Sequence, residues 1–98
     1  MDLDVRDEVA LGRYEAWADD ALAGWADYEA GEGILSFTHT EVEPAFEGKG
    51  VGSALIQGAL DDVRAHRPGW SVLPVCPFVV SWIERHPAYQ DLLADASE

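Results

Sequence analysis

Phe46-Glu47-Gly48-Lys49-Gly50-Val51-Gly52-Ser53-Ala54-Leu55 is the stretch on which the fold turns. Before it the hydrophobic period is two, and after it the period is 3.6. Upstream, Ile34-Leu35-Ser36-Phe37-Thr38-His39-Thr40-Glu41-Val42 is rich in β-branched and aromatic residues and reads as a strand that Pro44 ends. Downstream, Leu55, Ile56, Ala59, Leu60 and Val63 make one apolar stripe while Gln57, Asp61, Asp62 and Arg64 lie off it, which predicts an amphipathic helix. The quoted decade is therefore a strand-to-helix loop. Its glycines let successive N–H groups point inward together and let an anion approach the backbone closely. A helix N-terminus adds unpaired N–H groups and the positive end of the macrodipole. Gly48-Lys49-Gly50-Val51-Gly52 thus reads as a cradle for a diphosphate; the alternative on the same residues is a tight connection without a ligand. It is not a Walker loop, because no Lys-Ser/Thr pair follows the final glycine, and it does not have the Rossmann spacing.

Working outward, residues 14–19 and 22–29 read as two further strands, separated by Asp19-Asp20 and followed by the turn Gly31-Glu32-Gly33. Strands joined by such short turns form an antiparallel meander. Arg67-Pro68-Gly69 stops the helix, and Trp70-Ser71-Val72-Leu73-Pro74-Val75-Cys76 reads as a fourth strand made irregular by Pro74. Pro77 suits the first position of a second helix over 77–85, which His86-Pro87 ends, and residues 89–93 add a last helical turn. The predicted fold is α/β of the α+β kind, in the order β-β-β-α-β-α, with a right-handed parallel crossover around the first helix. Residues 1–12 are charge-rich and expected to be flexible, residues 13–93 form a single domain, and residues 94–98 are expected to fray.

A chain of 98 residues, 48% hydrophobic, holds one core and not two. No stretch approaches the roughly 20 apolar residues that span a membrane. The acidic start Met1-Asp2-Leu3-Asp4 does not resemble a signal peptide, so a cytoplasmic protein is expected. With 19 acidic residues against 6 basic ones, the net charge is −13. A field of that sign repels nucleic acid and anionic membrane surfaces and favours cationic partners such as amines; the alternative is that it serves solubility alone. The single cysteine, Cys76, allows no internal disulfide, and with three scattered histidines no metal site is expected.

Cys76 directly precedes Pro77 and so falls at the N-cap of the second helix, where a thiol pKa is depressed; the alternative is a small packing residue. His39, Glu41 and Glu43 alternate and share one face of a regular strand, as base candidates or as a solvated edge. His66 and His86 sit at helix ends and read as structural. Trp17, Trp25, Phe37 and Trp70 read as sheet core or cover.

Four segments in order then carry a resemblance: Thr38-His39-Thr40-Glu41-Val42; Phe46-Glu47-Gly48-Lys49-Gly50-Val51-Gly52-Ser53-Ala54-Leu55; Val72-Leu73-Pro74-Val75-Cys76-Pro77-Phe78-Val79; and His86-Pro87-Ala88-Tyr89. Together, over roughly residues 13–93, they resemble the short, single-domain N-acetyltransferases of the GNAT superfamily. The resemblance implies an acetyl-CoA-dependent transfer to an amine that the sequence does not identify. It places the pantetheine arm beside Val42 and Glu43, between the third and fourth strands, and the diphosphate on Gly48, Lys49, Gly50, Val51, Gly52 and Ser53. It also implies Glu41 or His39 as the base and Cys76 beside the thioester, as an acid or as an acetyl carrier. Two positions depart from the superfamily: Glu47 stands where its loop carries Arg or Gln, and Trp82 where many members carry a tyrosine acid. Small size and these departures also fit a non-catalytic acyl-CoA-binding module.

Overall fold

The alternating segments pair as their short turns require. In a computed structural model, which describes residues 2–94, the strands are β1 (Asp4–Glu8), β2 (Arg13–Ala18), β3 (Ala21–Gly31), β4 (Ile34–Val42) and β5 (Ser71–Pro74). They form one sheet in sequence order, β1 to β4 antiparallel and β5 parallel to β4. Glu32 (φ 55) and Gly33 (φ 80) both take the left-handed conformation, as a tight hairpin of the I′ type demands. The helices are α1 (Val51–His66) and α2 (Pro77–Glu84), and a 3-10 turn, Pro87–Leu92, follows.

The expected order lacks one strand. β1 lies inside residues 1–12, which were expected to be flexible, and pairs with β2 over its whole length. It is held to the core by Val5, packed against α1 at Gly58, and by one polar tie. Asp7 accepts from the Tyr28 hydroxyl at 2.5 Å and from the Arg67 guanidinium at 3.4 Å. Of residues 94–98, expected to fray, Ala94 donates its N–H to Val72 O at 2.8 Å, and 95–98 lie outside the described residues.

Both helices cover one face of the sheet. Leu55, Ile56, Ala59, Leu60 and Val63 of α1 and Val79, Trp82 and Ile83 of α2 are buried against Tyr14, Ala16, Ala26, Tyr28, Leu35, Phe37 and Val72. The other face carries Trp17 and Trp25, half-buried under their own strand neighbours. Glu15 accepts from Trp17 Nε1 at 3.0 Å and from Arg13 Nε at 2.7 Å, and the Arg13 guanidinium sits 5.2 Å over the Trp25 ring. No helix among the described residues is long and apolar enough to cross a membrane.

One irregularity decides which residues face which way. The register pairs Tyr28 with Phe37 and Asp27 with His39, so Thr38 is an extra residue, a β-bulge. Phe37 faces the helices, and beyond the bulge so do Thr40 and Val42, opposite buried Ala26 and Gly24. His39 and Glu41, opposite Asp27 and Trp25, face away.

Candidate functional site

Strand β5 is short because Pro74 cannot donate to a ladder. Its pairing with β4 ends at Phe37 and Pro74, and the Val75 and Cys76 N–H groups both turn onto Phe37 O, each at 2.9 Å. Thr38 to Val42 therefore has no strand beside it on that edge. Glu43, just past the strand, donates its N–H to Ala23 O at 2.8 Å. By alternation the backbone groups of Thr40 and Val42 face the gap left by β5.

The glycine loop stands at the mouth of this gap. Gly48 and Gly50 both have φ 78, a hand that glycine adopts without steric cost. Gly50 caps α1 with no side-chain hydrogen bond, and the first turn holds no acidic residue. Ala54 N–H is the first to close onto the helix, at 3.1 Å from Gly50 O. The N–H groups of Val51, Gly52 and Ser53 are thus left without intrahelical partners. A diphosphate fits this donor set. The side chains nearby are less favourable, since Glu47 and Lys49 are both exposed and oppose each other in sign.

Close approach of β3 and β4, with Val51 of α1 in contact beside them, is secured by a residue the sequence reading passed over. A Cβ on Gly24 would lie 2.7 Å from Glu41 O and 3.4 Å from both Val42 Cα and Val51 Cγ1. A lone glycine inside a strand pattern is the available signal for such contact.

Cys76 occupies the N-cap of α2, as its place before Pro77 predicts. It is 7% exposed, and its Sγ lies 3.5 Å from Thr40 Oγ1. Burial pushes the thiol up, but the Thr40 hydroxyl, the N–H groups of Val79 and Phe78, and the Thr40 N–H together outweigh it and leave the thiol below its ordinary value. The two helix N–H groups face the sulfur without closing a formed cap bond. Thr40 has no signature in the sequence that could have singled it out.

His39 and Glu41 are together but on the opposite face from Cys76, with His39 Nε2 2.7 Å from Glu41 Oε1 and both side chains about half exposed. Glu43 lies past the end of β4 and does not join them. Val42 and the glycine loop are brought together through Gly24. Ser53 is present in the first turn, but its hydroxyl oxygen accepts from Trp82 Nε1 at 2.8 Å. Trp82 is buried and Tyr89 donates its hydroxyl to Asp61 at 2.8 Å. Asp61 lies about 16 Å along α1 from Gly50, so neither aromatic residue supplies an acid at the gap. Among the described residues no group of His, Cys, Asp and Glu is arranged to hold a metal. A concavity of about 560 Å³ lies elsewhere, between β1 and α1, lined by Val5, Gly58, Asp62 and His66 among others.

The family model for GCN5-related N-acetyl-transferases matches residues 13–92. No curated protein matches the chain. Among solved structures, a GCN5-like protein from Staphylococcus aureus aligns with 94% of this chain and 88% of its own, at 19% identity and a TM-score of 0.69. The ribosomal-protein-alanine N-acetyltransferase from Brucella melitensis biovar Abortus 2308 aligns with 88% of this chain at 22% identity and a TM-score of 0.56, and only 64% of its own length is covered. At such identities the likeness is one of fold.

Proposed function

The chain belongs to the GCN5-related N-acetyltransferase family, a family of acetyl-transfer enzymes, and we propose that it moves an acetyl group from acetyl-CoA to an amine at the gap between β4 and β5. The observation that carries this reading is the backbone edge of β4 beyond Phe37, which has no strand beside it and runs out past Val42 beside the uncapped first turn of α1. The amides of a pantetheine arm can bond to such an edge as an added strand would. Val42 and Glu43 would flank the arm, and Gly48, Lys49, Gly50, Val51, Gly52 and Ser53 would hold the diphosphate.

Acetyl-CoA supplies an activated thioester. Glu41, steadied by His39 at 2.7 Å, accepts a proton from the ammonium arriving on the open face. The freed amine nitrogen bonds to the carbonyl carbon, the carbon–sulfur bond breaks, and the second nitrogen proton passes to solvent to leave the neutral amide. Cys76 gives its proton to the departing sulfur and regains one from solvent. Thr40 and the first N–H groups of α2 stabilise the thiolate left on Cys76 in between. The net charge of −13 favours a cationic acceptor.

Incubation with acetyl-CoA and a panel of amines (an alkylamine, a polyamine, a lysine peptide), followed by thiol release and mass gain on the amine, tests this reading. Glu41→Gln is expected to lower kcat by about 100-fold with little change in acetyl-CoA affinity. Coenzyme binding without amine-dependent thiol release would favour instead a non-catalytic acyl-CoA-binding module, a reading supported by Trp82 in place of a phenol. No binding of acetyl-CoA at all would sink both.

A further inference from the structure

Trp82 is 1% exposed and packed on several sides. His86 stacks on it at 3.7 Å with a 9° interplanar angle, Tyr89 meets it edge-on at 5.1 Å, and His86 Nδ1 lies 2.6 Å from Trp82 O. From this seat Nε1 reaches Ser53 Oγ at 2.8 Å. An indole N–H can only donate, so the Ser53 oxygen must accept. The hydroxyl proton of Ser53 is therefore left to be given elsewhere, and among the described residues it has no acceptor. Ser53 is exposed and is the third residue of α1, beside the uncapped N–H groups.

We propose that Trp82 is a positioning residue that fixes the Ser53 hydroxyl as a donor to the coenzyme diphosphate, so that α2 presets the anion cradle of α1. The inference rests on the acetyl-CoA reading above. It gives Trp82 a task other than that of the acid its position suggests. It also couples the cradle to Cys76, which caps the same helix, α2. A second contact supports that coupling: the Phe78 ring of α2 lies 2.8 Å from where a Cβ on Gly52 would be.

The test compares acetyl-CoA with acetylpantetheine, which lacks the diphosphate, by calorimetry on the full chain. Trp82→Phe keeps a ring and removes the N–H; it is expected to weaken acetyl-CoA about tenfold and leave acetylpantetheine unchanged. Ser53→Ala, an exposed change that spares the core, is expected to give the same selective loss. The double variant should lose no more than Ser53→Ala alone, and Ser53→Thr should restore affinity. Equal weakening of both ligands by Trp82→Phe, or unchanged acetyl-CoA binding by Ser53→Ala, would overturn the relay while leaving the coenzyme reading intact. Absence of acetyl-CoA binding by the unaltered chain would overturn the coenzyme reading and the relay with it.

Discussion

Replacing Gly24 by alanine should damage stability and coenzyme binding together, for one geometric reason. The added Cβ would stand 2.7 Å from Glu41 O, against an ordinary contact of 3.4 Å, an overlap of 0.7 Å (3.4 − 2.7). It cannot swing aside, since Val42 Cα and Val51 Cγ1 already sit at 3.4 Å from it. The clashing atom is backbone, so β4 must shift away from β3. Overpacking of this kind costs about 1–3 kcal/mol, offset by about 0.4–1 kcal/mol from a stiffer unfolded chain. The net loss is about 1–2 kcal/mol, which lowers Tm by about 10 °C in a domain of this size. The same displacement shifts Val42 against Val51, so acetyl-CoA should bind more weakly as well. Gly31→Ala is the control: no atom lies within 4 Å of its Cβ and its φ is ordinary, so its melting should stay near that of the parent. Calorimetric melting of the three proteins decides the matter. A Gly24→Ala protein melting within about 2 °C of the parent would refute the claim that this contact sets the spacing of β3 and β4 here.

Three further outcomes can be measured. Glu47→Arg exchanges an acid for a base beside α1, and at about 0.3–1 kcal/mol per charge near a helix end it should tighten acetyl-CoA about fivefold at low salt and less at high salt. The Cys76 thiol is held below its ordinary value, so its alkylation by iodoacetamide should reach half-maximal rate at a lower pH than in the urea-unfolded chain. Because the folded form is the more acidic, this stabilisation is complete above the unfolded thiol pKa, about 8.5, and is lost as pH falls through the folded value; the gap in unfolding free energy between the parent and Cys76→Ala should track it. Burial, followed by the Asp7 hydrogen bond, pushes Tyr28 up to about 12, and burial with Asp62 raises Tyr14 further. The unfolded chain ionises first, so stability should fall from about pH 10 upward. Phenolate absorbance should show both tyrosines titrating later than in urea.

The elements governed by apolar period were legible: three strands of the meander, α1 and α2 lie within a few residues of where the sequence puts them. β1 was not, because Val5 is its one core-facing aliphatic side chain and its other tie is the Asp7 carboxylate under Tyr28. A hydrophobic pattern cannot register a strand held by a charged group. The side of the sheet on which the base candidates stand was equally hidden. Alternation from Leu35 and Phe37 would carry His39 and Glu41 onto the buried face, and the bulge at Thr38 reverses this. The N-cap place of Cys76 could be read, since proline fixes the helix start beside it. Thr40 and the Trp82–Ser53 bond could not, because each joins residues distant in the chain.

The early end of β5 also bears on how the chain behaves in company. Of the sheet's two outer borders, β1 is studded with charge and β5 is bridged in part by Leu93. The inner border along Thr38 to Val42 has neither protection beyond the Cys76 sulfur at Thr40, and the remaining strand-free N–H and C=O groups invite pairing with another molecule. A bound pantetheine arm would sit there as a surrogate strand. The coenzyme would then act as a guard against self-association as well as a donor, and protein kept with it should stay dispersed at concentrations where protein kept without it begins to aggregate.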